Sequence, residues 1–131
     1  MADSPVVFIG AGPQGLAAAA HLVERGLDVL VFEAGADAGA AITEWGHVRL
    51  FSEWPELVDT AALRLLEQSG WTRPTGYPTG SEWVSSYLRP LAERLGNRVR
   101  FATRVPISVA PIAGATAIAA AIHAPATLPR M

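Results

Sequence analysis

The sequence predicts an α/β fold built on an incomplete parallel sheet of three strands. Two short apolar runs, Val6–Ile9 and Val29–Phe32, have the composition of strands that are buried on both faces. Between them, residues 15–25 favour a helix, and Gly26 follows where a C-terminal helix cap would lie. Because strand, helix and strand at this spacing form a βαβ unit, we expect the two strands to run parallel with a right-handed crossover.

A further helix and a third strand are predicted beyond this unit. Asp59 or Thr60 can cap a helix that stops at Gly70, and its apolar positions are 61, 62, 65 and 66. Residues 99–105 alternate Val, Phe, Thr and Val with Arg and Ala. This alternation is typical of a strand with one face in water, and we place that strand at an edge of the sheet.

A second helix precedes this strand and begins at a capping box. Thr79 and Glu82 have the spacing at which each side chain bonds the backbone of the other residue. The apolar residues at positions 84, 88, 91 and 95 fall on one helix face. We expect Pro90 to kink this helix, because proline removes one backbone hydrogen bond, and Gly96 to end it.

Composition excludes several classes of protein. The length of 131 residues suits one domain, and the 50% share of apolar residues argues against global disorder. A net charge of −2 gives no electrostatic footprint for nucleic acid. The absence of cysteine excludes a disulfide scaffold, a thiolate zinc site and a redox-active cysteine pair. The three histidines, His21, His47 and His123, have no metal-ligand spacing, so no metal site is expected.

The chain divides near residue 105. Residues 106–131 hold nine alanines, four prolines and a single charge at Arg130, so we expect an irregular tail after a domain of residues 1–105. This tail is either a poorly ordered extension or a non-native continuation of the reading frame. The start of the chain lacks a positive region, and no stretch has the apolar density of a membrane span. We therefore expect a cytoplasmic protein.

A glycine motif lies between the first strand and the first helix. The run from Gly10 to Gly15, with Gly12 between them, is G-x-G-x-x-G in the context that makes this motif specific. Gly10 allows the tight turn, Gly12 lets a pyrophosphate approach the backbone, and Gly15 lets the helix pack on the strand. Together with Pro13 and Gln14 these residues are the candidate phosphate-binding loop, since a helix N-terminus favours anions. The alternative is a glycine-rich turn in an ordinary α/β domain.

An acidic residue ends the second strand. Glu33 lies 23 residues after Gly10, where a carboxylate would accept hydrogen bonds from ribose hydroxyls. Its charge would repel a 2′-phosphate, so the site should prefer FAD or NAD over NADP.

The residues from Val6 to Glu33 resemble the N-terminus of the FAD-dependent oxidoreductases related to flavin-containing monooxygenases. The resemblance continues through segments 45–52, 78–80, 87–91 and 99–105. It departs at Ala40, where many relatives carry a second glycine. The resemblance implies a Rossmann-like three-layer fold, FAD as the cofactor with NAD as the alternative, and NAD(P)H as co-substrate of the complete enzyme. Two helices between Glu33 and Val99 favour the flavoprotein pattern, and the lack of cysteines sets aside the thiol-disulfide reductases.

The same resemblance extends the list of cofactor-binding candidates. It adds Ala34 directly after Glu33, Arg49 as a contact to the flavin pyrophosphate, and Val105 as a backbone contact near the adenine. Arg49 can equally be a solvated surface residue. The aromatic residues Trp45, Phe51 and Trp54 either line the flavin and substrate region or pack in the core, and His47 is the histidine nearest to such a site.

Three strands are the first half of a doubly wound sheet, so one edge of the first strand should be open. Residues 107–112, a partner chain or a second copy could cover it. Three hypotheses follow. The chain is the truncated nucleotide-binding part of a flavin-dependent, monooxygenase-like oxidoreductase, with little or no turnover alone. Alternatively it is a stand-alone NAD- or FAD-binding module, or a non-functional fragment.

Overall fold

Four parallel strands form one sheet in the computed structural model, which describes residues 4–105 and 117–119. The strands are β1 (Val6–Ile9), β2 (Val29–Phe32), β3 (Val99–Arg100) and β4 (Ala117–Ala119). Their order across the sheet is β3-β2-β1-β4. This is the order of the first four strands of the doubly wound fold, so the α/β class and the predicted parallel pairing of β1 with β2 are confirmed.

The described helices lie between β1 and β3 along the chain. They are α1 (Pro13–Glu24), α2 (Ala40–Thr43), α3 (Trp54–Leu57), α4 (Thr60–Glu67), α5 (Gly80–Trp83) and α6 (Arg89–Leu95). A π-helical stretch (Val84–Leu88) joins α5 to α6, and a 3₁₀ turn (Gly96–Arg98) leads into β3. Within the described ranges, no helix combines the length and the apolar character needed to cross a bilayer.

The helix α1 packs through three small residues and one leucine. Gly15, Leu16, Ala19 and Ala20 form its buried face, and α4 is its main helical neighbour. At its end Gly26 has φ +75°, and its backbone N–H donates to the carbonyl of Val23 at 2.9 Å. The predicted end of this helix is therefore confirmed, whereas the helix begins at Pro13, two residues before the predicted start, because proline suits a first turn. The glycine loop is held at the carboxyl edge of the sheet.

Both predicted helix caps are present. The Asp59 carboxylate accepts from the backbone N–H of Ala62 at 3.0 Å, which begins α4. Thr79 accepts from the Glu82 backbone at 3.1 Å, and Glu82 accepts from the Thr79 backbone at 2.9 Å. This is a complete capping box, and it fixes the start of α5.

The helix after the capping box is irregular where Pro90 was expected to kink it. The π-helical stretch lies directly before α6, in which Pro90 occupies the first turn. Because Leu88 and Arg89 are also helical, Pro90 lies inside a continuous helical run, and the carbonyl of Ser86 four residues earlier accepts from the Trp71 indole N–H at 2.8 Å instead. The predicted apolar face is confirmed, since the side chains at positions 84, 88, 91 and 95 are all buried.

The third strand is shorter than the alternation predicted. It lies at the expected edge of the sheet but ends at Arg100, because Ala102 adopts a left-handed backbone with φ +52°. The Ala102 N–H then donates to the carbonyl of Gly35, and the Thr103 N–H donates to that of Glu33. The side chains still alternate between more buried and exposed positions through Val105. The alternation in the sequence therefore predicts which side chains face inward, but it does not predict the length of the strand.

A fourth strand lies within the segment predicted to be an irregular tail. Residues Ala117–Ala119 pair in parallel with Val6, Val7 and Phe8. The prediction of irregular structure is therefore wrong at these three residues, and the edge of β1 that was expected to be open has a partner there. The suggested cover by residues 107–112 lies outside the described residues.

A hydrogen-bonded group links α1, α4 and the π-helical stretch. His21 Nε2 lies 2.8 Å from Asp59 Oδ1, and the Asp59 backbone N–H donates to the Tyr87 hydroxyl at 3.2 Å. Tyr87 is only 1% exposed, and burial raises the pKa of its phenol to about 12. His21, predicted to be a surface or packing residue, thus lies at a contact between helices.

Candidate functional site

The glycine loop between β1 and α1 begins at a residue that only glycine suits. Gly10 has φ +109°, a backbone conformation that side chains rarely allow. Its N–H donates to the carbonyl of Phe32 at 2.7 Å, which ties the turn to the end of β2. The glycine at this position is therefore explained by the fold itself.

The glycine at position 12 has no such explanation. Gly12 has φ −90° and ψ −170°, an extended backbone that any residue adopts. A Cβ added at Gly12 would meet no atom of the described residues within 4 Å. Because neither conformation nor packing requires glycine here, the residue leaves open space directly over the start of α1.

The N-terminus of α1 faces this open space without a side-chain cap. Pro13 occupies the first turn, Gln14 is exposed and Gly15 is buried. No side chain of the described residues caps α1, whereas Asp59 caps α4 and Thr79 caps α5. The first N–H groups of a helix have no partner within it, and the helix dipole adds partial positive charge there. The loop therefore offers amides and a favourable field to an anion.

The carboxylate of Glu33 joins two loops at this edge of the sheet. Its Oε1 accepts from the backbone N–H of Ala11 at 2.7 Å, and its Oε2 accepts from that of Gly35 at 2.8 Å. An ionised carboxylate has about four lone-pair positions, so each oxygen keeps one further position for a hydroxyl donor. Ala34 lies beside it and is exposed. The structure thus brings Glu33 into direct contact with the glycine loop.

The loop after β2 makes a second contact with Ala11. Gly39 donates its N–H to the Ala11 carbonyl at 3.0 Å, and a side chain at Gly39 would lie 2.8 Å from Val84. The methyl group of Ala40, the residue that departs from the family pattern, packs against Gly35, since a Cβ added at Gly35 would lie only 2.9 Å from the Ala40 Cβ. The role of Gly35 was missed from the sequence, although a glycine two residues after the acidic residue was a signal for it.

The two remaining candidates, Arg49 and Val105, differ in whether their segments contact Glu33. The Arg49 guanidinium donates to the Tyr77 carbonyl at 2.6 Å and lies 3.9 Å from Glu82, so its described contacts are all with the segment around α5. It is solvated. Val105 is half-buried and follows Thr103, which bonds the Glu33 backbone. The structure brings the 101–105 segment, but not Arg49, into contact with Glu33.

The aromatic residues near Arg49 have different environments. Trp54 is 3% exposed and belongs to the core, and Trp45 is half-buried against Gly80. Phe51 is 98% exposed and His47 is also exposed. Packing therefore accounts for Trp54 and in part for Trp45, whereas Phe51 makes almost no contact within the described residues.

Comparison with known proteins agrees with this geometry. Residues 9–69 match the family model of the NAD(P)-binding Rossmann-like domain. Two curated relatives are thiamine thiazole synthases. The enzyme of Pyrobaculum calidifontis is 48% identical over 46 residues, covering 35% of this chain and 18% of the relative. That of Archaeoglobus fulgidus is 37% identical over 70 residues, covering 50% of this chain and 27% of the relative.

Solved structures match over a longer part of the chain. An oxidized steroid monooxygenase bound to NADP is 32% identical with a TM-score of 0.59, covering 80% of this chain and 20% of that one. The protein OTEMO in complex with FAD and NADP is 26% identical with a TM-score of 0.54, covering 78% and 19%. This chain thus spans about a fifth of the solved chains. Residues 9–69 thus match a NAD(P)-binding Rossmann-like domain, and about four fifths of the chain resembles a part of flavin monooxygenases in fold.

Proposed function

We propose that this chain binds the adenosine diphosphate half of FAD and is the nucleotide-binding portion of a flavin-dependent, monooxygenase-like oxidoreductase. The observation that carries the proposal is Gly12, a glycine that leaves open space over an uncapped helix N-terminus and that the fold itself does not need. A pyrophosphate is the group that such a space and such a helix end suit best. The solved relatives support FAD, since OTEMO is described in complex with FAD and NADP.

The residues of the site fit an adenosine diphosphate group. The amides at the start of α1 would hold the pyrophosphate, and the remaining lone pairs of Glu33 would accept from ribose hydroxyls. Ala34 and the backbone near Val105 would border the adenosine, and Arg49 would need to leave Tyr77 to reach a phosphate. The negative charge of Glu33 disfavours a 2′-phosphate, so FAD and NAD suit this site better than NADP.

The reaction of a complete protein is a further step of the proposal. Bound FAD would supply the redox chemistry, and this chain would contribute binding and orientation of its nucleotide end. The thiazole synthases and the monooxygenases carry the names of different reactions, so what they share with this chain is a binding domain rather than a reaction. We expect NAD(P)H to serve as co-substrate only in a longer protein, and the isolated chain to show little or no turnover.

The test is a titration of the purified chain with FAD, NAD and NADP, monitored by flavin fluorescence and calorimetry. Wild type should bind FAD or NAD more tightly than NADP. In Gly12→Ala the added methyl group would occupy the phosphate approach, and affinity should fall by about tenfold or more, which is about 1.4 kcal/mol. Its stability should change little, because the loss of a favourable cap residue and the gain from a stiffer unfolded chain are each about 0.5–1 kcal/mol and oppose each other.

The matched control is Gly26→Ala at the other end of the same helix. A Cβ at Gly26 also meets no described residue within 4 Å, but φ is +75°, so this variant should lose about 1 kcal/mol of stability without losing nucleotide affinity. Equal binding by wild type and Gly12→Ala would contradict the proposed site. Failure of the wild type to bind any of the three nucleotides would contradict the proposed function.

A second candidate is a stand-alone module that binds NAD or FAD without catalysis. The pairing of β4 with β1 favours it, because the described strands then include the neighbour that β1 has in a doubly wound sheet. A partner chain would pair instead at the outer side of β4. Nucleotide binding by a monodisperse protein without flavin-dependent NAD(P)H oxidation would favour the module, and oxidation above background would favour the enzyme.

A further inference from the structure

We propose that Glu33 is a positioning residue for the phosphate-binding loop, which fixes the Ala11 peptide before any nucleotide arrives. This inference rests on the proposed function and deepens it. A residue that only accepts from ribose would have no task in the free protein. Here both carboxylate oxygens of Glu33 already accept backbone hydrogen bonds from two different loops.

The burial of Ala11 makes the bond to Glu33 obligatory. Ala11 is 0% exposed and lies in the turn between β1 and α1, outside any helix or strand. Its N–H therefore has neither water nor a regular ladder to bond, and the Glu33 Oε1 at 2.7 Å is its partner. A buried N–H that loses its acceptor keeps the full cost of desolvation. Removing the Glu33 oxygen should therefore move the loop rather than leave it in place.

The carbonyl group of Ala11 is hydrogen-bonded as well as its N–H group. The Ala11 carbonyl accepts from the Gly39 N–H at 3.0 Å, and the preceding Gly10 N–H donates to Phe32. The backbone directly before Gly12 is thus bonded on both sides to the end of β2 and the loop after it. Because Gly12 follows Ala11 immediately, the position of the open space over α1 depends on these bonds.

The Glu33→Gln variant tests the hydrogen bonds of this side chain while it keeps the size and shape of the side chain nearly unchanged. A glutamine side chain has one acceptor oxygen and one N–H₂ donor, so it can satisfy Ala11 or Gly35 but not both. The glutamine N–H₂ group would then point at the other backbone N–H, so that two donors would face each other without an acceptor. The matched control is Glu93→Gln, which removes the same charge from an exposed position on α6.

The first experiment is amide hydrogen exchange in the nucleotide-free protein. In the wild type, the Ala11 and Gly35 amides should be protected although they lie in loops. In Glu33→Gln at least one of them should exchange about ten- to a hundredfold faster, as expected for one lost hydrogen bond to a charged group. The exchange rate of the Leu66 amide in α4 should be the same in Glu33→Gln as in wild type. In Glu93→Gln the exchange rates of the Ala11, Gly35 and Leu66 amides should all equal those of wild type. An unprotected Ala11 amide in the wild type would overturn the proposal even if the variant did not fold.

The second experiment compares ADP with 2′,3′-dideoxy-ADP, which keeps the phosphates and lacks both ribose hydroxyls. If Glu33 served the ribose alone, Glu33→Gln would bind the dideoxy compound as well as wild type does, or better, since a negative charge near the phosphates is gone. We expect the opposite, a fall of about tenfold for the dideoxy compound in Glu33→Gln and no fall in Glu93→Gln. Unchanged or tighter binding by Glu33→Gln would overturn the positioning role.

The two experiments also distinguish a failure of the positioning role from a failure of the proposed function on which it rests. Wild type that binds neither ADP nor FAD would refute nucleotide binding. The exchange rates of Ala11 and Gly35 would still decide whether Glu33 holds the loop.

Discussion

Replacing Tyr87 by Phe is expected to remove most of the alkaline instability of this protein. The Tyr87 ring packs against Trp71 with centroids 6.2 Å apart, and its hydroxyl accepts from the Asp59 N–H. Burial is the main cause that raises the pKa of this phenol from 10.0 to about 12. The phenol is therefore harder to ionise in the native protein than in the unfolded chain.

The sign and size of the effect follow from linkage. Below pH 10 both states keep the proton, and the full stabilisation is present. Between pH 10 and 12 the unfolded chain releases a proton that the native state retains, so the free energy of unfolding falls as the pH rises. The gap between these pKa values corresponds to about 2–3 kcal/mol in total, of which about 1.4 kcal/mol is lost by pH 11. At neutral pH, Tyr87→Phe should cost about 1 kcal/mol for the hydrogen bond to Asp59.

The composition of the chain makes this measurement unusually clean. The sequence holds no lysine and no cysteine, whose side chains ordinarily titrate between about pH 8 and 11, so neither residue type overlaps the ionisation of Tyr87. Urea unfolding followed by circular dichroism at about pH 8, 10 and 11 measures the loss, and Tyr77→Phe, which alters a half-exposed ring, is the matched control. The reasoning is refuted if Tyr87→Phe and wild type lose the same stability between pH 8 and 11.

Substitutions at three further positions test the fold. Gly39→Ala should destabilise by about 1–3 kcal/mol and by more than Gly26→Ala, because both have positive φ but only Gly39 has Val84 at 2.8 Å; equal unfolding midpoints would contradict this. Asp59→Ala should cost about 0.5–2 kcal/mol for the lost cap of α4, whereas Asp59→Asn should retain most of it, and chemical denaturation distinguishes the two. Arg64→Gln breaks a bidentate but exposed pair with Glu24, and its thermal midpoint should match wild type at physiological salt.

Local chemistry explains why much of this fold could be predicted. The limits of β1 and β2 and the end of α1 follow from apolar runs, helix formers and a terminal glycine, all of which act within a few residues. The capping box at Thr79 and Glu82 is equally local, and both of its hydrogen bonds are present. The same holds for the glycine loop, where the motif and the preceding strand are adjacent in sequence.

The features that could not be predicted depend on contacts distant in sequence. The strand β3 ends early because Ala102 and Thr103 bond the loop after β2, about 70 residues earlier in the chain, and no alternation pattern carries that information. The strand β4 lies in an alanine-rich segment without a period of its own, and its place is set by β1. The Ala11 peptide is likewise fixed by Glu33 and Gly39, whose approach requires the folded sheet.

Three glycines near the site are alike in sequence but differ in physical cause. Gly10 is required by its backbone angle, and Gly39 by its backbone angle and by the side chain of Val84 packed against it. Gly12 is required by neither, so selection for folding alone would allow alanine or serine there. A motif match cannot separate these cases, because it counts all glycines equally. The structure separates them, and under the proposed function a pyrophosphate that approaches the backbone would be what requires glycine at position 12.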